Sequence, residues 1–236
     1  MKPESPIESE IDIDPRIYAL YDEYCHGAMD RREFLAKAAA LTVGGMAMAQ
    51  ALFPRYANAQ TISFTDARIK GRYVKYASPG GTSGEMKGYL VQPTSTTATQ
   101  FPAVLVIHEN RGLNPYIEDV CRRAAIENFI SLAPDALTPL GGYPGNDDDG
   151  RAMQSKRNQQ EMLEDFIASF EYLKKHPNCN GKIGVVGFCF GGWISNMMAV
   201  KLPDLKAAVP YYGRQASDED AKKIKTPLQL HYADLD

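Results

Sequence analysis

From Asp66 onward, short apolar runs alternate along the chain with longer stretches of helical period. DARIKGRYVKYAS and EMKGYLVQP predict two strands joined by the turn-rich PGGTSG, and the Thr-rich TSTTATQ that follows predicts a loop. PAVLVIHE, Pro102 to Glu109, is a continuous apolar run of the kind buried on both faces of a parallel sheet. YIEDVCRRAAIE has helical spacing, with Ile117, Val120 and Ala124 on one side, and FISLAPD is another short strand. GGYPGNDDDG reads as a loop by composition. QQEMLEDFIASFEYLKKH predicts an amphipathic helix with Met162, Phe166, Ile167, Phe170 and Leu173 facing inward. Lys174, Lys175 and His176 complement the dipole in its last turn. KIGVVGF then predicts a buried strand, GGWISNMMAVKL a helix, and KAAVPYYG and PLQLHYA two further strands.

Strands that alternate with helices predict an α/β fold, a doubly wound and mainly parallel sheet covered on both faces. Chemistry in such sheets gathers at the carboxyl ends of the strands. That rule selects Glu109, Asp135, Cys189, Tyr211 to Arg214 and Asp234 to Asp236.

The first 59 residues have a different character, which divides the chain into segments 1–59 and 60–236. Residues 1–24 are acidic and dotted with proline. Arg31 and Arg32 follow, then Phe34 and Leu35, then an uncharged run from Ala38 to Pro54, then Ala57-Asn58-Ala59 with small residues at the −3 and −1 positions of a cleavage site. This order resembles a twin-arginine export signal, which implies an export machinery as partner, a periplasmic destination and a mature chain starting near Gln60. Asp30 before the arginine pair and the late basic residue Lys37 depart from the pattern. The alternative is an amphipathic or buried helix at the start of the domain. The run is too short and too rich in Ala and Gly for a stable membrane span of about 20 residues.

Composition narrows the function. A 44% hydrophobic, 23% charged chain of net charge −3 is of ordinary globular type, and no basic stripe with interleaved aromatics suggests nucleic acid as a partner. Removal of the leader takes Cys25 and His26 with it and leaves Cys121, Cys179 and Cys189, an odd set that argues against a complete disulfide framework. No Cys, His and Asp side chains gather at metal-ligand spacing, so no metal is expected. No C-x-x-C supports a redox role. The glycines at 184, 187, 191 and 192 do not make G-x-G-x-x-G, so no dinucleotide and no other cofactor is expected.

Gly187-Phe188-Cys189-Phe190-Gly191-Gly192 is the chemical signal. A G-x-nucleophile-x-G turn between a buried strand and a helix forms a nucleophile elbow, where flanking side chains would collide with neighbouring elements. It places Cys189 at the amino end of a helix, whose dipole favours a thiolate. The N–H of Phe190 then points to where an oxyanion would form. The plainer reading is a small buried hydrophobe on a glycine-packed turn.

VLVIHENRGLNPYIEDVCRRAA, GKIGVVGFCFGGW and the pair AAVPYYG and PLQLHYADLD resemble the dienelactone hydrolases (carboxymethylenebutenolidases) of the α/β-hydrolase superfamily, over most of residues 70–236. The resemblance implies a Cys–His–Asp triad that opens small lactones or activated esters. It implies Cys189 as nucleophile and Glu109 as a carboxylate that helps take the thiol proton. It also implies the N–H of Asn110 as second oxyanion donor and Asp236 as triad acid, with Asp234 as the other choice. A substrate-binding arginine of the family has no firm counterpart: Arg151 and Arg157 are candidates that read more readily as solvated surface, and Arg111 belongs to no motif.

The triad histidine would follow the acid, and none of the four histidines stands there. His26 lies in the leader, His176 closes a helix at the other end of the sheet, and His231 lies inside a strand. His108 is expected to point to the opposite side of its strand from residues 107 and 109. The resemblance therefore implies a truncated family member without its last strand and helix. It would be an impaired hydrolase, or alternatively a non-catalytic fragment or binding remnant of the same fold.

Overall fold

A computed structural model describes residues 61–81, 84–94 and 98–233, and, nearer the amino terminus, 14, 16–17, 20, 23–24, 29, 31–41 and 45. The chain divides into two compact units, Met1–Asn58 and Ala59–Asp236.

In the first unit, helix α1 (Arg31–Leu41) buries Phe34 and Ala38 with Ile17, Tyr24 and Met29. The Phe34 ring stacks on Tyr24 at 5.6 Å. Arg31, Arg32, Leu35 and Lys37 belong to this helix, whereas Asp30, the cleavage-site residues 57–59 and most of the uncharged run lie outside the described residues. Among the described residues no helix is long and apolar enough to cross a membrane.

The second unit is built on a mixed, mainly parallel sheet. Its strands are β1 (Ile69–Ser78), β2 (Gly84–Pro93), β3 (Phe101–Ile107), β4 (Ile130–Pro134), β5 (Cys179–Phe188) and β6 (Ala207–Tyr211). They lie in the order β1-β2-β4-β3-β5-β6. The predicted hairpin pairs β1 with β2, and β2 runs antiparallel to β4. The pairs β3–β4, β3–β5 and β5–β6 are parallel, as their continuous apolar runs require. Helices α2 (Pro115–Ile126), α3 (Asp147–Gln154), α4 (Gln159–Lys174), α5 (Phe190–Lys201) and α6 (Asp218–Ala221) complete the unit.

One face of the sheet packs Leu105, Ile107, Ile183 and Val185 against Phe166, Phe170 and Leu173 of α4 and Ile194 and Met198 of α5. The other face packs Val91, Val106 and Ala133 against α2. Each large apolar side chain buried in this way contributes about 1.5–3 kcal/mol.

Three expectations are corrected. The buried stripe of α2 is Ile117, Cys121 and Ala125, with Val120 and Ala124 only half-buried. The stripe is rotated because Asp119 and Arg122 are buried as well. Asp119 accepts the Ile62 N–H at 2.9 Å, and Arg122 donates to the Ile62 carbonyl at 2.7 Å. Asp147–Gly150 is helix rather than loop: Asn146 caps it by accepting the Asp149 N–H at 2.9 Å, and three aspartates occupy the first turn. PLQLHYA does run parallel to β6, but through bridges at Ala208↔Leu228 and Tyr211↔His231 rather than a continuous ladder. Leu228 and Leu230 on this segment are exposed.

A buried polar path crosses the unit from β1. The Ser78 hydroxyl donates to Asp165 of α4 at 2.6 Å, and Asp165 pairs with Arg157 at 3.0 Å. Arg157 donates in turn to the carbonyl of Ala136, in the loop after β4. Arg157 is thus neither solvated nor available to a substrate.

Candidate active site

The site forms where β5 runs into α5. Cys189 adopts φ 54° and ψ −112°, a left-handed conformation that costs a non-glycine residue about 1–3 kcal/mol. The surrounding packing holds it there. Its N–H donates to the Tyr211 carbonyl at 3.0 Å, and its carbonyl accepts from Gly192 and Trp193 at 2.9 and 3.2 Å. The glycines are required by close backbone approaches. A Cβ at Gly187 would overlap the Gly191 carbonyl, one at Gly191 would overlap the Ile107 carbonyl, and one at Gly192 would sit 2.6 Å from the Tyr211 oxygen. Cys189 is the N-cap of α5 and Phe190 its first residue, so the Phe190 N–H belongs to the positive end of the helix dipole.

Residue pairing starts the Glu109 loop and the elbow from one level of the sheet. Ile107 lies opposite Gly187 in the β3–β5 ladder, so the two residues beyond β3 lead to Glu109 and the two beyond Gly187 lead to Cys189. The start of α5 presses on this segment: a Cβ at Gly191 would lie 2.8 Å from the His108 carbonyl. Glu109 is 7% exposed, and its Oε2 is buried without a hydrogen-bond partner. Burial raises the pKa of this carboxyl, and the charge of nearby Arg111 opposes the rise.

The loop that carries Glu109 and Asn110 is fixed from several sides. Gln154, buried at the end of α3, donates Nε2–H to the Glu109 carbonyl at 3.2 Å and accepts the Gly112 N–H at 2.9 Å. Arg111, which sequence reasoning left without a role, is buried and paired with Asp147 at 3.2 Å. Asp147 also accepts from Asn114 at 3.4 Å and from the Tyr143 hydroxyl at 2.7 Å. Asp135 accepts backbone N–H groups from Leu113, Leu137 and Tyr143 at 3.3, 3.0 and 3.0 Å, so it staples loops together.

His108 is fully buried beside Phe166 and Phe190, with ring centroids 5.8 and 6.4 Å away. It therefore shares the side of Ile107, against expectation, because the alternation of the strand stops with β3 at Ile107. Its Nε2 takes the Ala136 N–H at 3.1 Å and its Nδ1 lies 2.6 Å from the Glu109 carbonyl. A backbone N–H only donates, so Nε2 is the acceptor and Nδ1 carries the proton. Burial lowers the pKa of the ring, consistent with this neutral tautomer.

His176 lies just before the amino end of β5, with Asn178 and Gln92 as neighbours, away from the carboxyl edge. His231 stacks flat on Tyr211 at 4.2 Å, and Tyr211 stacks on Phe188 at 5.2 Å, so the tyrosine ring stands between this imidazole and the Phe188 ring. It lies level with the last residue of β6, closer to the carboxyl edge than the sequence suggests. His26, Asp234 and Asp236 lie outside the described residues. Arg151 pairs with Asp148 at 3.3 Å. Among the described residues, no three His, Cys, Asp or Glu side chains gather as a metal site. A cleft of about 500 Å³ beside β1 and α4, lined by Tyr76, Pro79, Glu164, Ile167, Tyr172 and Lys175, contains none of the elbow residues.

A thiol raised on a positive-φ turn at the carboxyl edge of a mainly parallel sheet, with helices on both faces, places the chain among the α/β-hydrolases. Within that class it belongs to the dienelactone hydrolase family, whose model matches residues 86–236. A second model, described as YqhI-like, matches residues 6–42. "Putative hydrolase fragment YghX" of Escherichia coli is 53% identical over 111 residues, 47% of this chain and 93% of that protein. "Putative carboxymethylenebutenolidase" of Synechocystis is 35% identical over 136 residues, 55% of this chain and 54% of that protein. The chain thus spans about half the length of that relative, and likewise 55% of a Yersinia pestis protein of the same name. Among solved structures, the "Putative Dienelactone Hydrolase" from Klebsiella pneumoniae matches with a TM-score of 0.56 at 24% identity, over 68% of this chain and 71% of that one. A dienelactone hydrolase-like phosphotriesterase from metagenomic libraries matches with 0.59 at 22%, over 71% and 70%. These structures share the fold.

Proposed function

We infer that the chain acts on small lactones or activated esters through Cys189. The observation that carries this reading is the elbow thiol two residues beyond Gly187, with Glu109, whose Oε2 is buried without a hydrogen-bond partner, two residues beyond Gly187's strand partner Ile107. The thiol proton passes to Glu109, sulfur bonds to the ester carbonyl carbon, and the oxyanion is met by the N–H groups of Phe190 and Asn110. Collapse breaks the C–O bond, releases the alkoxide or phenolate, and leaves a thioester on Cys189. Asp236, or Asp234, is the proposed triad acid. Among the described histidines, His108 has both ring nitrogens bonded, His176 lies at the other end of the sheet and His231 is stacked on Tyr211, so none is assigned as the triad base. With the described residues alone, acylation therefore outruns deacylation and hydrolysis is impaired. The test is stopped-flow release of p-nitrophenol from p-nitrophenyl acetate. One equivalent should appear in a burst, followed by near-background turnover, because losing one triad member can cost on the order of 10⁴–10⁶ in kcat. Cys189→Ala should abolish the burst. A wild-type chain with no burst would favour the second reading, a non-catalytic remnant of the fold.

For the amino-terminal segment we keep the reading of a twin-arginine export signal, with periplasmic delivery. The buried cluster around Phe34 and the family model over residues 6–42 favour a second reading, a retained helical appendage. Cell fractionation of wild type and of Arg31→Lys/Arg32→Lys separates them: loss of periplasmic, cleaved protein in the variant supports export, and uncleaved wild-type protein in the cytoplasm refutes it.

A further inference from the structure

We propose that His108 and Gln154 are positioning residues that aim the Asn110 N–H, as oxyanion donor, by holding the other end of its peptide unit. This rests on the acyl-transfer reading above and deepens it. The peptide between Glu109 and Asn110 is one rigid plane, in which the carbonyl of one residue and the N–H of the next point in opposite directions. Fixing the carbonyl therefore fixes the N–H. Two side chains meet at the Glu109 carbonyl oxygen: Nδ1–H of His108 at 2.6 Å and Nε2–H of Gln154 at 3.2 Å.

Each of the two is held from behind. The acceptor side of His108 is filled by the Ala136 N–H at 3.1 Å, which fixes the tautomer that donates to Glu109. The amide of Gln154 is fixed the same way, because its Oε1 takes the Gly112 N–H at 2.9 Å and only Nε2 is left to donate. Both side chains are buried, His108 completely and Gln154 to 4% exposure, so water does not compete for these bonds. Neither is a catalytic residue. They act through the main chain, and the loop after β4 and helix α3 thereby share in setting the oxyanion geometry.

The experiment separates aim from mere stability by comparing two reactions of the same thiol. Acylation by p-nitrophenyl acetate develops an oxyanion, whereas alkylation by iodoacetamide does not. Gln154→Met should slow burst acylation about 10- to 100-fold, short of or near the loss expected when an oxyanion donor is removed outright. It should leave the alkylation rate of Cys189 unchanged. Equal slowing of both reactions, or of neither, overturns the proposal. If Gln154→Met does not fold by circular dichroism, His108→Asn against His108→Leu carries the comparison. Asparagine keeps an N–H near the Nδ1 position and should acylate faster than the leucine variant at equal alkylation rates, and equal acylation overturns the proposal. A wild-type chain with no Cys189-dependent burst rejects the acyl-transfer reading itself. That outcome is distinct from a normal burst that Gln154→Met leaves intact.

Discussion

Removing the carboxylate of Asp165 should destabilise the second unit more than any surface charge change. The carboxylate is fully buried and serves two buried partners, the Ser78 hydroxyl at 2.6 Å and the Arg157 guanidinium at 3.0 Å. In Asp165→Ala the guanidinium remains buried, its side chain only 5% exposed, and loses the Asp165 carboxylate. Leaving one member of a buried pair alone costs about 3–5 kcal/mol, and the orphaned hydroxyl adds about 1–3 kcal/mol where water does not reach it. Against a typical total of about 5–15 kcal/mol the variant is expected to be marginal. Arg157→Met in the same background removes the buried guanidinium as well, so the double variant should be more stable than Asp165→Ala alone. Urea unfolding followed by circular dichroism measures both. An Asp165→Ala loss below about 1 kcal/mol, the range of exposed pairs, or strict additivity in the double variant, would show that the pair is not the buried, coupled unit described.

Two further outcomes follow from the site. In folded protein, iodoacetamide should label Cys189 well before Cys121 or Cys179: both of those are buried, and burial pushes the Cys121 thiol up to about 12. Equal labelling rates, read by peptide mass mapping, would contradict the elbow assignment. Glu109→Gln should raise the melting temperature at pH 8, because burial disfavours the ionised carboxylate and raises its pKa in the fold. A raised carboxyl pKa means stability is lost as pH climbs from the unfolded value through the folded one. The advantage of glutamine should therefore shrink toward zero below about pH 4, and above the folded pKa it should reach about 1.4 kcal/mol for every tenfold by which folding weakens the acid. An advantage that does not change with pH would refute the cause.

The parts of the fold readable in the sequence are those in which backbone contact dictates residue type. The glycines at 187, 191 and 192 announce the elbow because main-chain atoms crowd each one. The apolar runs announce the parallel strands because both faces of the sheet are covered. What was hidden depends on contacts that local pattern does not encode. Helix α3 is masked because Asn and Asp serve loops and helix caps alike. Arg157 reads as solvated because its partner Asp165 lies on the inner side of a helix otherwise recognised by its apolar stripe. Gln154 carries no signal at all, since its importance comes from two backbone groups more than 40 positions away. His108 is misplaced by alternation because the rule expires where the strand does.

The pedestal under Cys189 is made of main chain. Glycine carbons rest against the carbonyls of Ile107, His108, Gly191 and Tyr211, and the cysteine N–H is tied to one of those same oxygens. Side chains on β3 and β6 can therefore be exchanged without displacing the sulfur, provided the backbones keep their spacing. Variation elsewhere that spares the glycines at 187, 191 and 192 should leave the place of attack unchanged, whereas any side chain at those three positions should move it.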